Sequence, residues 1–137
     1  MTKDPIHILI IDDDEINNFI ATKLIDKIPA KAKVNTCLNG LEGIDYIKSK
    51  LLNQDEFPDI IFLDINMPIM NGWEFLEKYE LIKKEVKKQV TINMLSSSVY
   101  NADINKADTY GTVNKFMSKP LTVDKIKELY LTLNIEF

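Results

Sequence analysis

A chain of 137 residues with 45% apolar and 28% charged side chains is expected to form one domain, 1–137, with a core that needs no disulfide or metal staple. All 17 basic residues are lysine and the net charge is −4, so the arginine fork used on phosphates and guanine edges is missing, which argues against direct nucleic-acid binding. His7 is the sole histidine and Cys37 the sole cysteine, which excludes a His-based zinc site, a Ser-His-Asp triad and an internal disulfide.

No apolar run is long enough to cross a bilayer, and MTKDPIHILI lacks the features of a secretory signal. With an unpaired cysteine, these features predict a cytoplasmic protein without membrane contact.

Ile6 to Ile11, IHILII, is a β-branched apolar run that predicts a central parallel strand. Asp14 is the expected N-cap of a first helix, in which Ile16, Phe19, Ile20, Leu24, Ile25 and Ile28 recur at helical spacing. Val34 to Cys37 predicts a short second strand. Asn39-Gly40 opens a second helix with Leu41, Ile44, Ile47 and Leu51 on one face. KSKLLNQDEFP then reads as a polar, exposed connection.

Ile60 to Leu63 predicts a third strand buried on both faces, ending in Asp64. A third helix starts near Gly72, with Trp73, Leu76 and Tyr79 or Glu80 on successive turns. Val90 to Leu95 predicts a fourth strand that runs into Ser96-Ser97-Ser98. Asn101 to Tyr110 suits a short polar helix, with Gly111 as its expected C-cap. NKFMSKPL holds a brief fifth strand. Thr122 caps a last helix with Val123, Ile126, Leu129, Tyr130 and Leu133 as its stripe.

Alternating strands and helices predict parallel βαβ units with right-handed crossovers and helices on both faces. In such a doubly wound α/β sheet, a site forms beyond the carboxyl ends of the strands. Asp12-Asp13, Asp64, Ser96 and Lys119 stand at those ends. Three clustered carboxylates repel unless a cation joins them, and a hard all-oxygen donor set points to Mg²⁺ or Mn²⁺. A carboxylate nucleophile, a metal, a lysine and a hydroxyl are the parts that forming an aspartyl phosphate requires. Each residue alone also has a plain structural reading as a cap, turn or solvated charge.

The motifs ILIIDDD, PDIIFLDINMPIMNG, INMLSSS and FMSKPL, spread over Ile6 to Leu133, resemble the receiver domain of response regulators in two-component signalling, including the stand-alone chemotaxis type. The resemblance implies a flavodoxin-like (βα)5 fold with strand order 2-1-3-4-5. It implies Asp64 as phosphoacceptor. Asp12, Asp13, Asp64 and the Asn66 backbone carbonyl would form the Mg²⁺ site, with Asp12 acting largely through water. Ser96 and Lys119 would bind the phosphoryl group, and Ser96 and Phe116 would switch together. Asn66 and Ser98 would tune the phosphoryl lifetime, and the Lys119-Pro120 peptide would be cis.

The implied partners are a sensor histidine kinase or phosphotransfer protein and a downstream protein target, reached through the face formed by helix four, strand five and helix five. No output domain is expected after Phe137. A monomer and a homodimer both fit. The connection from Ser49 to Pro58 is longer than usual for the family, and EKYELIKKEVKKQ is unusually lysine-rich.

Two other readings use the same fold or chemistry. One is a receiver-fold interaction module that is never phosphorylated. The other is a haloacid-dehalogenase-type phosphatase, which wants a second acid where Asn66 stands. A calcium loop counted from Asp64 fails, because its fifth and sixth positions are Pro68 and Ile69.

Overall fold

The computed structural model describes residues 5–97 and 100–137. Ser98 therefore lies outside the described residues. Five strands, β1 (Ile6–Ile11), β2 (Ala32–Cys37), β3 (Ile60–Asp64), β4 (Thr91–Ser96) and β5 (Val113–Ser118), form one parallel sheet in the order β2-β1-β3-β4-β5. Between and after them run α1 (Glu15–Asp26), α2 (Gly40–Ser49), α3 (Gly72–Ile82), α4 (Asn101–Asp108) and α5 (Val123–Thr132). This is the doubly wound, flavodoxin-like arrangement expected from the sequence.

Side chains alternate across the central strands and feed two cores. Leu9, Ile11, Ile61, Leu63, Ile92 and Met94 pack with Ile44 and Ile47 of α2 and with Phe75, Leu76 and Tyr79 of α3. Ile8, Ile10, Ile60, Phe62 and Leu95 pack with Ala21 and Ile25 of α1 and with Ile126, Leu129 and Tyr130 of α5. Every residue of β3 is buried, as a strand covered by helices on both faces must be.

Helix starts follow the expected caps. Asp14 accepts from the backbone of Ile16 and Asn17, Asn39 from Glu42, and Thr122 from Lys125. Asn71 and Glu74 add a reciprocal capping box at the start of α3, which the sequence reading had not singled out.

Three expectations are corrected. The first half of the α1 stripe faces outward, with Ile16, Phe19 and Ile20 70%, 62% and 49% exposed and Asn18 and Ala21 buried in their place, while Ile25 and Ile28 are buried and Leu24 packs on the core as expected. Leu41 likewise faces outward. Gly111 is not the C-cap of α4; Thr109 is, in ordinary right-handed geometry, and Gly111 has no positive φ.

The polar connection before β3 is also more integrated than expected. It carries a 3-10 turn over Gln54–Glu56 and the fully buried Phe57. Gln54 stitches it to the lysine-rich segment, donating to the Glu85 carbonyl (2.8 Å) and accepting from the Lys87 amide (2.7 Å). Lys88 adds an ion pair with the buried Asp59 at 3.2 Å.

Candidate functional site

Sheet register sets the site. Ile11 of β1 lies opposite Leu63 of β3, so Asp12 and Asp64, each one residue further on, leave adjacent strands at the same level. Asp64 lies opposite Leu95, and Ser96 follows it as the last residue of β4. Ser96 in turn pairs with Ser118, and the Lys119 amide donates to the Ser96 carbonyl at 2.8 Å. Thus Asp12, Asp64, Ser96 and Lys119 meet at the carboxyl end of the sheet, far apart in sequence but consecutive in space.

Carboxylate oxygens of Asp12, Asp13 and Asp64 all lie within 4.8 Å of one another. Asp12 and Asp64 are buried, while Asp13 is exposed. The Lys119 ammonium sits 2.9 Å from Asp12 Oδ2 and 3.3 Å from Asp64 Oδ1. This is the arrangement that like charges demand: two buried carboxylates share one cation on the protein side, and the exposed third leaves the solvent side open.

Burial pushes the Asp64 carboxyl up to about 6, Lys119 opposes that rise, and Asp12 and Asp13 add to it. For Lys119, burial works against the ammonium, but its contacts with Asp12 and Asp64 outweigh burial and hold the amine above its ordinary value. At neutral pH Asp64 is therefore mostly an anion, poorly solvated and facing a fixed cation.

The donor set fits a hard divalent cation. Three carboxylates within reach of one ion offer oxygen alone, and the clustered negative charge has only Lys119 against it among the described contacts. The resemblance to receiver domains implies Mg²⁺ at such a cluster.

The turn after β3 holds Asp64 in place. The Gly72 amide donates to the Ile65 carbonyl at 2.8 Å. A Cβ at Gly72 would stand 2.5 Å from the Asp64 carbonyl oxygen and 3.0 Å from Ile65 Cα. Both are backbone atoms and cannot rotate away. Gly72→Ala is expected to destabilise the fold by about 1–3 kcal/mol and to displace the Asp64 backbone, seen as a lower urea midpoint. Ile69, in the same turn, has φ of 68°, a left-handed conformation rare for a β-branched residue.

The other expected site residues fall as follows. Asn66 is exposed, two residues past Asp64. Phe116, half-buried, lies opposite Met94 and, like Trp73 and Tyr110, packs against the core that α2 and α3 cover. The Lys119-Pro120 peptide is cis.

Asn18 was not anticipated. It is buried in α1 and donates from Nδ2 to the Asp12 carbonyl at 3.0 Å, which fixes the end of β1. Only its spacing one turn after Asp14 hinted at such a role, and an asparagine there reads as a surface residue.

The response regulator receiver domain family matches residues 8–131. The chain is 34% identical over 129 residues to hybrid signal transduction histidine kinase G of Dictyostelium discoideum, covering 93% of this chain but 3% of that kinase's length. Its structure resembles a two component response regulator from Cytophaga hutchinsonii, with a TM-score of 0.84, 33% identity, and coverage of 93% of this chain and 96% of that one. It also resembles a response regulator receiver protein from Dyadobacter fermentans, with a TM-score of 0.81, 29% identity, and coverage of 96% and 99%. With the sheet order, the acid cluster and a family match over nearly its whole length, this chain belongs to the response regulator receiver domain family of two-component signalling.

Proposed function

We propose that this receiver domain accepts a phosphoryl group on Asp64 from a phosphohistidine of a histidine kinase or phosphotransfer protein. The observation that carries the reading is the convergence of Asp12, Asp13 and Asp64 with Lys119 at 2.9 and 3.3 Å from two of them.

In the transfer, an Asp64 carboxylate oxygen attacks phosphorus. The P–N bond of the phosphohistidine breaks, its electron pair leaves on the imidazole nitrogen, and that nitrogen takes a proton from solvent. Asp12, Asp13 and Asp64, with the Asn66 carbonyl, would hold Mg²⁺, which when bound neutralises charge on the phosphoryl oxygens. Lys119 moves its ammonium from the Asp64 carboxylate to a phosphoryl oxygen. Ser96 donates its hydroxyl to another. Asn66, two residues past the acceptor in sequence, and Ser98, two past the switch hydroxyl, tune the phosphoryl lifetime.

The exposed apolar residues Ile16, Phe19 and Ile20 support docking of the phosphodonor protein along α1. Ile20 lines a cavity of about 140 Å³ together with Asp12, Lys119, Pro120 and Leu121, so this face adjoins the acceptor. The output surface is α4, β5 and α5. Of the residues in α4, only Ala107 is buried, so little packing energy resists its displacement. When Ser96 moves toward the phosphoryl group, Phe116 follows on the same strand pair and the α4 face is reshaped. The protein acts as a cytoplasmic signalling phosphoacceptor, monomeric or dimeric through that face, and turns over no separate substrate.

Ser96→Ala tests the coupling. The variant is expected to take up phosphate yet lose the response of β5 and α4. Amide spectra with beryllofluoride and Mg²⁺ should show shifts at Asp64 but not at Phe116. Wild-type shifts at Phe116 in the variant would contradict the switch role of Ser96.

A further inference from the structure

Lys125 stands in the first turn of α5, a place where helix physics disfavours a cation. The free N–H groups of a helix start carry partial positive charge, so acids are favoured there and lysines are not. The Lys125 backbone obeys the cap, donating to Thr122 Oγ1 at 3.2 Å. Its side chain folds back out of the helix. The ammonium donates to the Ser118 carbonyl at 2.7 Å, the Pro120 carbonyl at 2.9 Å and Ser118 Oγ at 3.3 Å.

Those acceptors flank Lys119 on both sides. Lys119 itself donates its amide to the Ser96 carbonyl. Three consecutive residues are thus tied down, the outer two by a single ammonium. The middle residue extends its own side chain into the acid cluster, where distances of 2.9 and 3.3 Å depend on where its backbone starts. A residue that breaks a local helix preference and spends its charged donors on one loop has been placed for that loop.

We infer that Lys125 is a positioning residue for phosphoryl transfer, gripping the carbonyls on either side of Lys119 and so aiming the Lys119 ammonium at the acceptor. The inference rests on the phosphoacceptor reading. Lys125 touches neither the acceptor nor the phosphoryl group; it acts through Lys119. Its role differs from that of a fold-stabilising contact, because removing a cation from a helix N-terminus favours the helix while freeing the loop.

The test compares wild type, Lys125→Met and Lys125→Arg by titration with beryllofluoride in excess Mg²⁺, alongside the thermal midpoint of each ligand-free protein. Lys125→Met is expected to bind about five- to tenfold more weakly, with a midpoint within about two degrees of wild type. Lys125→Arg, which keeps charge and donors, should recover most of the affinity. Lys125→Met binding as tightly as wild type would overturn the positioning role and leave the phosphoacceptor reading intact. A loss of affinity matched by a large fall in midpoint would assign Lys125 to fold stability and overturn it equally. Wild type that does not bind would overturn the phosphoacceptor reading, and the positioning role with it.

Discussion

Asp64→Asn should make the metal-free protein more stable at pH 7, by about 1–3 kcal/mol. Burial raises the folded-state carboxyl from 3.8 to about 6. The folded protein therefore holds this proton more tightly than the unfolded chain does. Such a group adds stability that is fully present below about pH 4 and is lost as pH rises through about 6. At neutral pH the ionised Asp64 is a burden on the fold, offset in part by Lys119. Asparagine removes the burden along with the chemistry. The gain of the variant over wild type should vanish below about pH 4 and reach its full size above about pH 7. Denaturant melts across that range, with a chelator present, check it. A gain independent of pH, or a wild type more stable than the variant at pH 7, would show that burial does not set the Asp64 carboxyl as described. Millimolar Mg²⁺ should stabilise wild type and leave the variant much less affected, because the ion's binding energy adds only where its ligands are intact.

Lys119→Met should have the opposite sign. Methionine keeps the apolar stem and deletes the cation shared by Asp12 and Asp64. Two buried carboxylates then face each other uncompensated, a change that costs about 2–4 kcal/mol at pH 7 without metal. Lowering the pH toward 4 should restore much of that stability by protonating one carboxyl, and Mg²⁺ should restore it by supplying the missing positive charge. Phosphoryl uptake from a small donor should still fall by about 10²-fold, since the ion does not replace a fixed donor to the transferring group. A variant as stable as wild type in chelator, or one that accepts phosphate at the wild-type rate, would remove Lys119 from both roles.

What the sequence made legible was the part governed by strong local rules. Runs such as IHILII and IIFL have no amphipathic ambiguity, so their ends, and the carboxylates there, could be placed. Asp14, Asn39 and Thr122 announce helix starts by side-chain chemistry alone. The βαβ alternation joined these ends into one site, and the resemblance to receiver domains gave its residues their roles.

The helix α1 shows where such reading stops. Its large apolar residues Ile16, Phe19 and Ile20 drew the expected stripe, but the buried positions are Asn18, Ala21, Ile25 and Ile28, spaced three, four and three apart. In the first half of the helix a small and a polar residue, Ala21 and Asn18, face the core, and periodicity weighted by side-chain size cannot see that.

Long-range polar contacts were equally hidden. Asn93 is fully buried in β4 and accepts from Asn114 at 3.0 Å, where β5 carries an extra residue against Ile92 and Asn93. Nothing within either strand signals the pairing. The Gln54 stitch and the Lys88–Asp59 pair join segments about thirty residues apart, which explains why an apparent insertion and a lysine-rich tract read as unrelated surface features. Gly111 failed as a cap because α4 ends three residues earlier, at Asp108, with Thr109 closing it without left-handed geometry.

The central claim is that Asp64 takes the phosphoryl group. Intact mass after incubation with acetyl phosphate and Mg²⁺, beside Asp64→Asn and a beryllofluoride-treated sample, tests it most directly. The account predicts a single phosphoryl adduct on wild type, labile to base and absent from Asp64→Asn. An adduct that persists in the variant would place the chemistry elsewhere. No adduct together with no structural response to beryllofluoride would contradict the account and leave a receiver fold that signals without phosphate.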